Sequence, residues 1–164
     1  MPTSPSPAPS SDSVGNRLAT FLLSCREQLI SVWSDRVERD PTLKTPDSLN
    51  AIQLRDHIPQ LLDNLNQRLR DASNEELKDR AASIAALHGH IRWKEDYNIG
   101  EVIREFAVLR SAIIPHLIEF QESSPDIGGA SWQFALTVLH GFLDDAIRES
   151  VEQFTALNER SKNS

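Results

Sequence analysis

Apolar side chains recur every three or four positions through most of this 164-residue chain. That spacing places them on one face of an α-helix, whereas a half-buried strand would alternate polar and apolar residues. Five stretches of the sequence show the helical spacing, and the segments between them are short. The sequence therefore predicts an all-α fold, a single-domain bundle of about five helices that spans residues 14–160.

Proline and helix-capping residues set the predicted helix ends. The first helix should end before the step from Asp40 to Pro41, because the residue before a proline disfavours the helical conformation. Pro59 lies inside the second apolar pattern, residues 52–72. It predicts a short helix, a kink and then the main helix, since proline removes a backbone donor. Asn74 and Asn98 are the predicted caps of the third and fourth helices.

The last predicted helix, residues 131–160, carries two apolar stripes. Its main stripe consists of Trp132, Leu136, Leu139, Leu143, Ala146, Ile147, Phe154 and Leu157. The second stripe consists of Phe134, Val138 and Phe142. A helix with two apolar faces requires two neighbours. Burial inside the bundle is the favoured interpretation, and a homodimer through the second stripe is the alternative.

Polar residues interrupt the inner faces of the third and fourth helices. His88 falls on the apolar stripe of the third helix, Arg92 lies at its edge, and Arg110 falls within the inner stripe of the fourth. Buried charges require partners. If the two helices pack antiparallel, His88 lies level with Glu105 and Arg92 lies level with Glu101. A structural polar network is the favoured interpretation; a switch that uses the titration of His88 is the alternative.

The two chain ends have a different composition. Residues 1–13 contain four of the nine prolines together with several serines, and they cannot build a core. The sequence therefore predicts a disordered tail there, and a polar exit at residues 161–164. His57, in the second helical region, is predicted to lie at the surface.

Charge and cysteine content narrow the class of protein. With 24 acidic and 17 basic residues the net charge is -7, which argues against a nucleic-acid partner. Cys25 is the only cysteine and is predicted to lie on the apolar face of the first helix, which fits a reducing cytoplasm. The N-terminus lacks the features of a signal peptide, and no apolar run reaches the roughly 18 residues of a membrane span.

Catalytic, metal and cofactor motifs are absent from the sequence. His88 and His90 are two positions apart and point to different faces of a helix, and no H-E-x-x-H spacing occurs. A nucleophile elbow and a P-loop are also missing. We therefore predict no catalytic residue, no metal site and no cofactor. Two alternatives stay open: a histidine phosphotransfer protein that uses His88 or His90, and a haem-type sensor with His88 as axial ligand.

A separated set of residues resembles a known family. His88-Gly89, Arg92, Tyr97, Glu105 and Leu109-Arg110 form a pattern that is similar to the N-terminal domain of RsbRD-type (RsbT co-antagonist) regulators. That domain also opens many bacterial sensor histidine kinases. The first helix and residues 54–62 extend the resemblance. The family usually has glycine before the aromatic residue, whereas this chain has Asp96, so the turn is expected to differ.

The resemblance implies a cytoplasmic, non-enzymatic signalling input domain that regulates an output kinase or other signalling domain, in cis or in trans. In such domains the last helix leads into the next domain, so the chain is expected to be a sensor-kinase fragment or a stand-alone stress-response regulator. The predicted signalling network consists of His88, Arg92, Tyr97, Glu101, Glu105 and Arg110.

Overall fold

The computed structural model describes residues 11–45, 49–55 and 57–164. All regular structure in that part of the chain is helical. The helices are α1 (Ser11–Ser24), α2 (Arg26–Arg39), α3 (Ala51–Arg55), α4 (Ile58–Arg70), α5 (Glu75–Lys94), α6 (Ile99–Ser123) and α7 (Gly129–Lys162). The predicted fold class is confirmed. The described ranges contain seven helices where about five were predicted, because the first two predicted helices are each divided.

The first division falls at Cys25, which lies in the turn between α1 and α2 and not on the apolar face of a continuous helix as predicted. The Cys25 N–H donates to both Phe21 and Leu22 carbonyls, at 3.3 and 3.2 Å. The hydroxyl of Ser24 also donates to the Phe21 carbonyl, at 2.6 Å. Such local side-chain bonds compete with the regular helical ladder, which accounts for the break.

The second division falls before Pro59, as predicted. Pro59 occupies the first turn of α4, where its missing N–H would have no partner within the helix in any case. His57, in the turn between α3 and α4, was predicted at the surface, and this prediction is wrong because its side chain is buried. The turn directs the imidazole inward, to 6.1 Å from the ring of His88.

Both ends of the bundle extend beyond their predicted limits. The predicted tail covered residues 1–13, but the helical backbone already begins at Ser11, and residues 1–10 lie outside the described part of the chain. At the other end α7 continues to Lys162, two residues into the predicted polar exit.

Packing of the bundle centres on α7. It contacts α5 along the longest stretch and also packs against α1, α4 and α6, while α2 packs on α6. The predicted hairpin of the third and fourth helices is therefore modified, because α5 and α6 are not among the closely packed pairs. Trp33 of α2 is fully buried at the centre of the core. The space between α5 and α6 is the place where the polar side chains meet.

The second apolar stripe of α7 does not form one exposed surface. Phe142 is buried, Val138 is half-buried, and Phe134 retains 37% of its exposure. Since α7 has four helical neighbours, its second face is largely used inside the chain. Burial of Phe142 confirms the favoured interpretation at that position, and the homodimer stays a prediction. None of the helices in the described ranges has an apolar stretch that could cross a bilayer.

Candidate functional site

Glu105 of α6 is the centre of a buried polar cluster that we define by His88, Arg92, Tyr97 and Glu105. Its carboxylate is 1% exposed. The Tyr97 hydroxyl donates to Oε1 at 2.7 Å, and the Arg92 Nε donates to Oε2 at 3.0 Å. The His88 Nε2 lies 3.2 Å from the same Oε2. The predicted proximity of His88 and Glu105 is therefore observed.

Arg92 extends the polar cluster beyond α5 and α6. Its Nη1 donates to the Glu95 carboxylate at 2.7 Å and to the Gln53 carbonyl at 3.2 Å. Its Nη2 donates to the Leu54 carbonyl at 2.6 Å. The guanidinium also stands 5.0 Å from the ring centre of Tyr97. One side chain of α5 thereby holds the short helix α3 in place, a role that helical spacing alone does not reveal.

His88 is enclosed by aromatic and charged neighbours. Its ring meets Phe106 edge-on, with centroids 5.3 Å apart. Neither ring nitrogen makes a hydrogen bond of good geometry with the described residues, although Nε2 lies within 3.2 Å of the Glu105 carboxylate. Burial lowers the pKa of His88, and the charge of Arg92 adds to this effect, although Glu105 opposes it. His88 is therefore neutral at pH 7.

The ionisation of Glu105 follows from its partners. Burial alone would raise its pKa, but the contact with His88, the charge of Arg92 and the Tyr97 hydroxyl outweigh burial and lower it. Burial and the neighbouring Glu105 raise the pKa of Tyr97 well above its usual range. At neutral pH the cluster thus holds a carboxylate, a guanidinium, a neutral phenol and a neutral imidazole.

Glu101 does not pair with Arg92, so that part of the predicted register is wrong. It forms a capping box with Asn98, in which each residue's side chain accepts from the other's backbone N–H at 3.0 Å. Its Oε1 also accepts from the N–H groups of Lys44 and Thr45, at 3.1 and 3.0 Å. These hydrogen bonds outweigh burial and lower the pKa of Glu101. Its carboxylate therefore accepts from the backbone at the start of α6 and from the backbone of the segment that follows α2.

Arg110 was predicted to join the network and does not. It lies five residues after Glu105, which places it about 140° away around the helix axis. Its Nη2 donates to Asp144 of α7 at 2.8 Å, and its side chain is 37% exposed. The arginine therefore pairs at the surface between α6 and α7.

Sequence reasoning missed Trp33, whose indole Nε1 donates to the Glu105 backbone carbonyl at 3.1 Å. It also missed the backbone strain at Asp96, which has a φ of 62°. Aspartate tolerates this left-handed conformation better than most residues, and glycine adopts it freely. The turn was expected to differ because Asp96 replaces a glycine, yet the backbone adopts a conformation that suits glycine.

A close contact between α5 and α7 lies directly beside the polar cluster. Ser150 of α7 donates its hydroxyl to the Ala85 carbonyl at 2.7 Å. Gly89, next to His88, faces the Ser150 backbone so closely that a Cβ would lie 2.9 Å from the Ser150 carbonyl carbon and closer still to its oxygen. The helix that carries His88 and Arg92 is thus in backbone contact with α7.

Acidification is expected to destabilise the protein in two steps. The folded pKa of His88 is lowered, so its stabilising contribution is complete above about pH 6.5 and is lost as pH falls through the lowered value. The pKa of Glu105 is also lowered, so its contribution is lost in the same way once the pH falls below about 4.3, the ordinary pKa of a glutamate. For His88 the loss between pH 6.5 and 5 is at most about 2 kcal/mol.

Urea unfolding at a series of pH values checks this expectation. His88→Gln should reduce the change in the free energy of unfolding between pH 7 and 5. His140→Gln, at an exposed position of α7, should leave that change as it is in the wild type. Parallel curves for wild type and His88→Gln would show that His88 is not held neutral by the fold.

The phosphotransfer alternative finds no support in the geometry of the described histidines, and the haem-type alternative stays a prediction. A phosphoryl acceptor must reach solvent, but His88 is 1% exposed, and His90 lies half-buried with its ring 6.5 Å from that of Trp93. In the described ranges no three His, Cys, Asp or Glu side chains are grouped to hold a metal ion.

The fold and the site define a helical bundle with a buried, charged cluster between α5 and α6. Comparison of the chain with protein-family models, curated proteins and solved structures found no match. The resemblance to RsbRD-type domains therefore stays a prediction from the residue pattern.

Proposed function

We propose that this chain is a non-enzymatic, cytoplasmic input domain of the RsbRD type, which regulates an output module of a bacterial sensor histidine kinase or stress-response regulator. The observation that carries the proposal is the coordination of Glu105. Its side chain and backbone accept hydrogen bonds from α2, α5 and the turn before α6. A single residue thus links the packing of separate elements.

A mechanical path leads from this carboxylate to the last helix. Arg92 joins Glu105 to α3, and Gly89, three residues earlier on α5, lies against the backbone of Ser150. Because close-packed backbones cannot interpenetrate, a shift of α5 requires a matching shift of α7. We infer that α7 is the output element, and that a stimulus acts by changing the hydrogen bonds of the polar cluster.

The residue pattern itself supports the proposal. His88, Arg92, Tyr97 and Glu105 are spread over 18 positions of sequence, yet they meet around one carboxylate. Gly89 of the same pattern provides the close approach of α5 to α7. Residues that depend on one another in this way support the resemblance more strongly than separate matches would, because a change at one position alters the hydrogen bonds of the others.

The test is a fusion that joins the end of α7 to a dimeric histidine-kinase core. Tyr97→Phe deletes one hydrogen bond to Glu105 and keeps the aromatic ring. A hydrogen bond to a charged group contributes about 1.5–3 kcal/mol. If only one of two arrangements of the bundle contains this bond, its loss should change the equilibrium constant between them by about tenfold or more. We expect autophosphorylation of the fusion to change by that order, in either direction.

Ser123→Ala is the matched control, because it deletes an exposed hydroxyl at the end of α6 whose only bond to the described residues is with the Phe120 carbonyl, at 3.1 Å. Its fusion should behave as wild type. If all three fusions autophosphorylate equally while Tyr97→Phe alone unfolds at lower temperature, the polar cluster is structural and the proposed regulation is wrong.

A further inference from the structure

Arg68 of α4 is a buried arginine that forms no ion pair in the part of the chain that the structure describes. It is 6% exposed, and its buried Nε has no hydrogen-bond partner among the described residues. Its nearest favourable contact is the ring of Phe142, 5.8 Å from the guanidinium carbon. Arg92, by contrast, is a deeply buried arginine with two carboxylates and two carbonyls as partners. Within the described residues, Arg68 thus lacks the charged partners that Arg92 has.

Arg68 lines a cleft of about 200 Å³. Helices α4, α5 and α7 form its walls, and Arg68 and Phe142 both line it. Ala81, Ala82 and Ala146 also line it, and their small side chains leave the space open. A water molecule takes up about 30 Å³ in the liquid, so the cleft has room for a compound the size of about six or seven waters.

The other basic residues of the cleft differ from Arg68 because they form ion pairs. Arg148 already pairs with Glu149 at 3.3 Å, and it lies 3.6 Å from Asp145. Lys78 pairs with Glu75 at 3.1 Å. The cleft wall therefore combines a set of carboxylates with one cation, Arg68, that has no ion pair with the described residues. Asp79 is the carboxylate among these that has no ion pair with the described residues.

We propose that the cleft binds a small zwitterion, an α-amino acid, with its carboxylate on Arg68 and its ammonium group on the acidic side of the wall. A guanidinium presents parallel donors that match a carboxylate, which explains an arginine at this position. The three carboxylates Asp79, Asp145 and Glu149 attract an ammonium group and repel a dianion such as phosphate. Only a ligand with both charges satisfies both sides.

Binding at this cleft can be measured whether or not the chain regulates an output domain, so the inference stands apart from the proposed function. If both hold, the ligand would bridge α4 and α5 to α7. It would then stabilise the arrangement of the last helix to which it binds more tightly.

The test measures thermal unfolding of the whole chain with each of the twenty L-amino acids, with acetate and with inorganic phosphate, followed by calorimetric titration of the compounds that stabilise. We expect one amino acid, or a chemically related group, to raise the unfolding temperature of the wild type. Arg68→Met should weaken that binding on the order of 100-fold, because it removes the charged partner of the carboxylate. Asp79→Asn should weaken amino-acid binding and should not weaken acetate binding.

Ligand-free protein gives an independent readout. A buried charge without a partner opposes folding, so Arg68→Met should unfold at a higher temperature than wild type in buffer alone. Arg80→Met, on the exposed face of α5 where Arg80 pairs with Glu76 at 2.9 Å, should retain full binding. If Arg68→Met does not fold, Arg68→Lys is the substitute. It keeps the positive charge but lacks the parallel N–H donors of the guanidinium, so it should bind the amino acid more weakly.

Three results would overturn the inference. One is the absence of stabilisation of the wild type by every amino acid tested. Another is stabilisation by phosphate alone, which would assign an oxyanion site without an ammonium contact. The third is unchanged amino-acid affinity in a folded Arg68 variant, which would place the binding site elsewhere.

Discussion

Replacing Glu105 by glutamine is expected to lower the free energy of unfolding by about 3–5 kcal/mol, the usual cost of breaking a buried ion pair from one side. Glutamine has almost the same volume, so the core stays filled. The guanidinium of Arg92 would, however, lose the carboxylate that its Nε contacts at 3.0 Å, and only Glu95 would balance its charge. The loss is large because Arg92 is 1% exposed and water cannot replace the carboxylate.

Urea unfolding followed by circular dichroism measures this effect. Glu119→Gln is the control, since Glu119 lies on the same helix at an exposed position. Its effect should stay within about 0.5 kcal/mol. Equal unfolding midpoints for the two variants would show that the charge of Glu105 does not hold the bundle together. The double variant with Arg92→Met should be less destabilised than the sum of its parts, because it removes both charges.

Replacing Gly89 by alanine is expected to destabilise the bundle by about 1–3 kcal/mol, the range for overpacking. The added methyl group would lie 2.9 Å from the Ser150 carbonyl carbon. Since the atoms it meets belong to the backbone of α7, no rotamer change can relieve the clash. The two helices must separate, and the hydrogen bond from Ser150 to the Ala85 carbonyl, 2.7 Å long, is expected to lengthen or break.

Gly141→Ala provides the matched control on α7. Nothing lies within 4 Å of a Cβ at that position. Alanine favours the helix interior over glycine by about 0.8–1.0 kcal/mol, so this variant should be stabilised. Opposite signs for the two glycine-to-alanine changes in thermal unfolding are the expected outcome. If Gly89→Ala is stabilised as well, α5 and α7 are not in close backbone contact and the path to the last helix fails.

Helix positions and helix starts could be predicted from the sequence because they depend on local chemistry. The cap at Asn98 and the break before Pro59 follow from backbone donors that a few neighbouring residues do or do not supply. The apolar stripes follow from the need of each helix to bury one face. These constraints act within one or two turns of a helix and leave a readable pattern.

The partners within the polar cluster could be predicted only in part. His88 and Glu105 meet as expected, because both lie on inward faces of helices joined by a short turn. Arg92 was assigned to Glu101 by counting along an antiparallel pair, but its long side chain instead reaches Glu105 and the carbonyls of α3. Backbone carbonyls carry no sequence signal, so such acceptors are invisible before the fold is known.

The wrong placements share a related cause. His57 and Cys25 lie in short turns, where one residue of difference in the helix end decides the direction of a side chain. The second stripe of α7 left both burial and a homodimer open, because a stripe on a helix does not reveal how many neighbours that helix has. Arg110 shows the same limit, since its partner Asp144 belongs to a helix 34 positions away.

The hydrogen bond from Trp33 to the Glu105 carbonyl provides a built-in optical reporter. An indole that is fully buried and bonded to α6 emits at short wavelength, and it would shift to the red if water entered between α2 and α6. Trp93 and Trp132 are the other two indoles, both half-buried. With those two replaced by phenylalanine, the colour of the remaining emission would follow the environment of Glu105 in real time, without any attached dye.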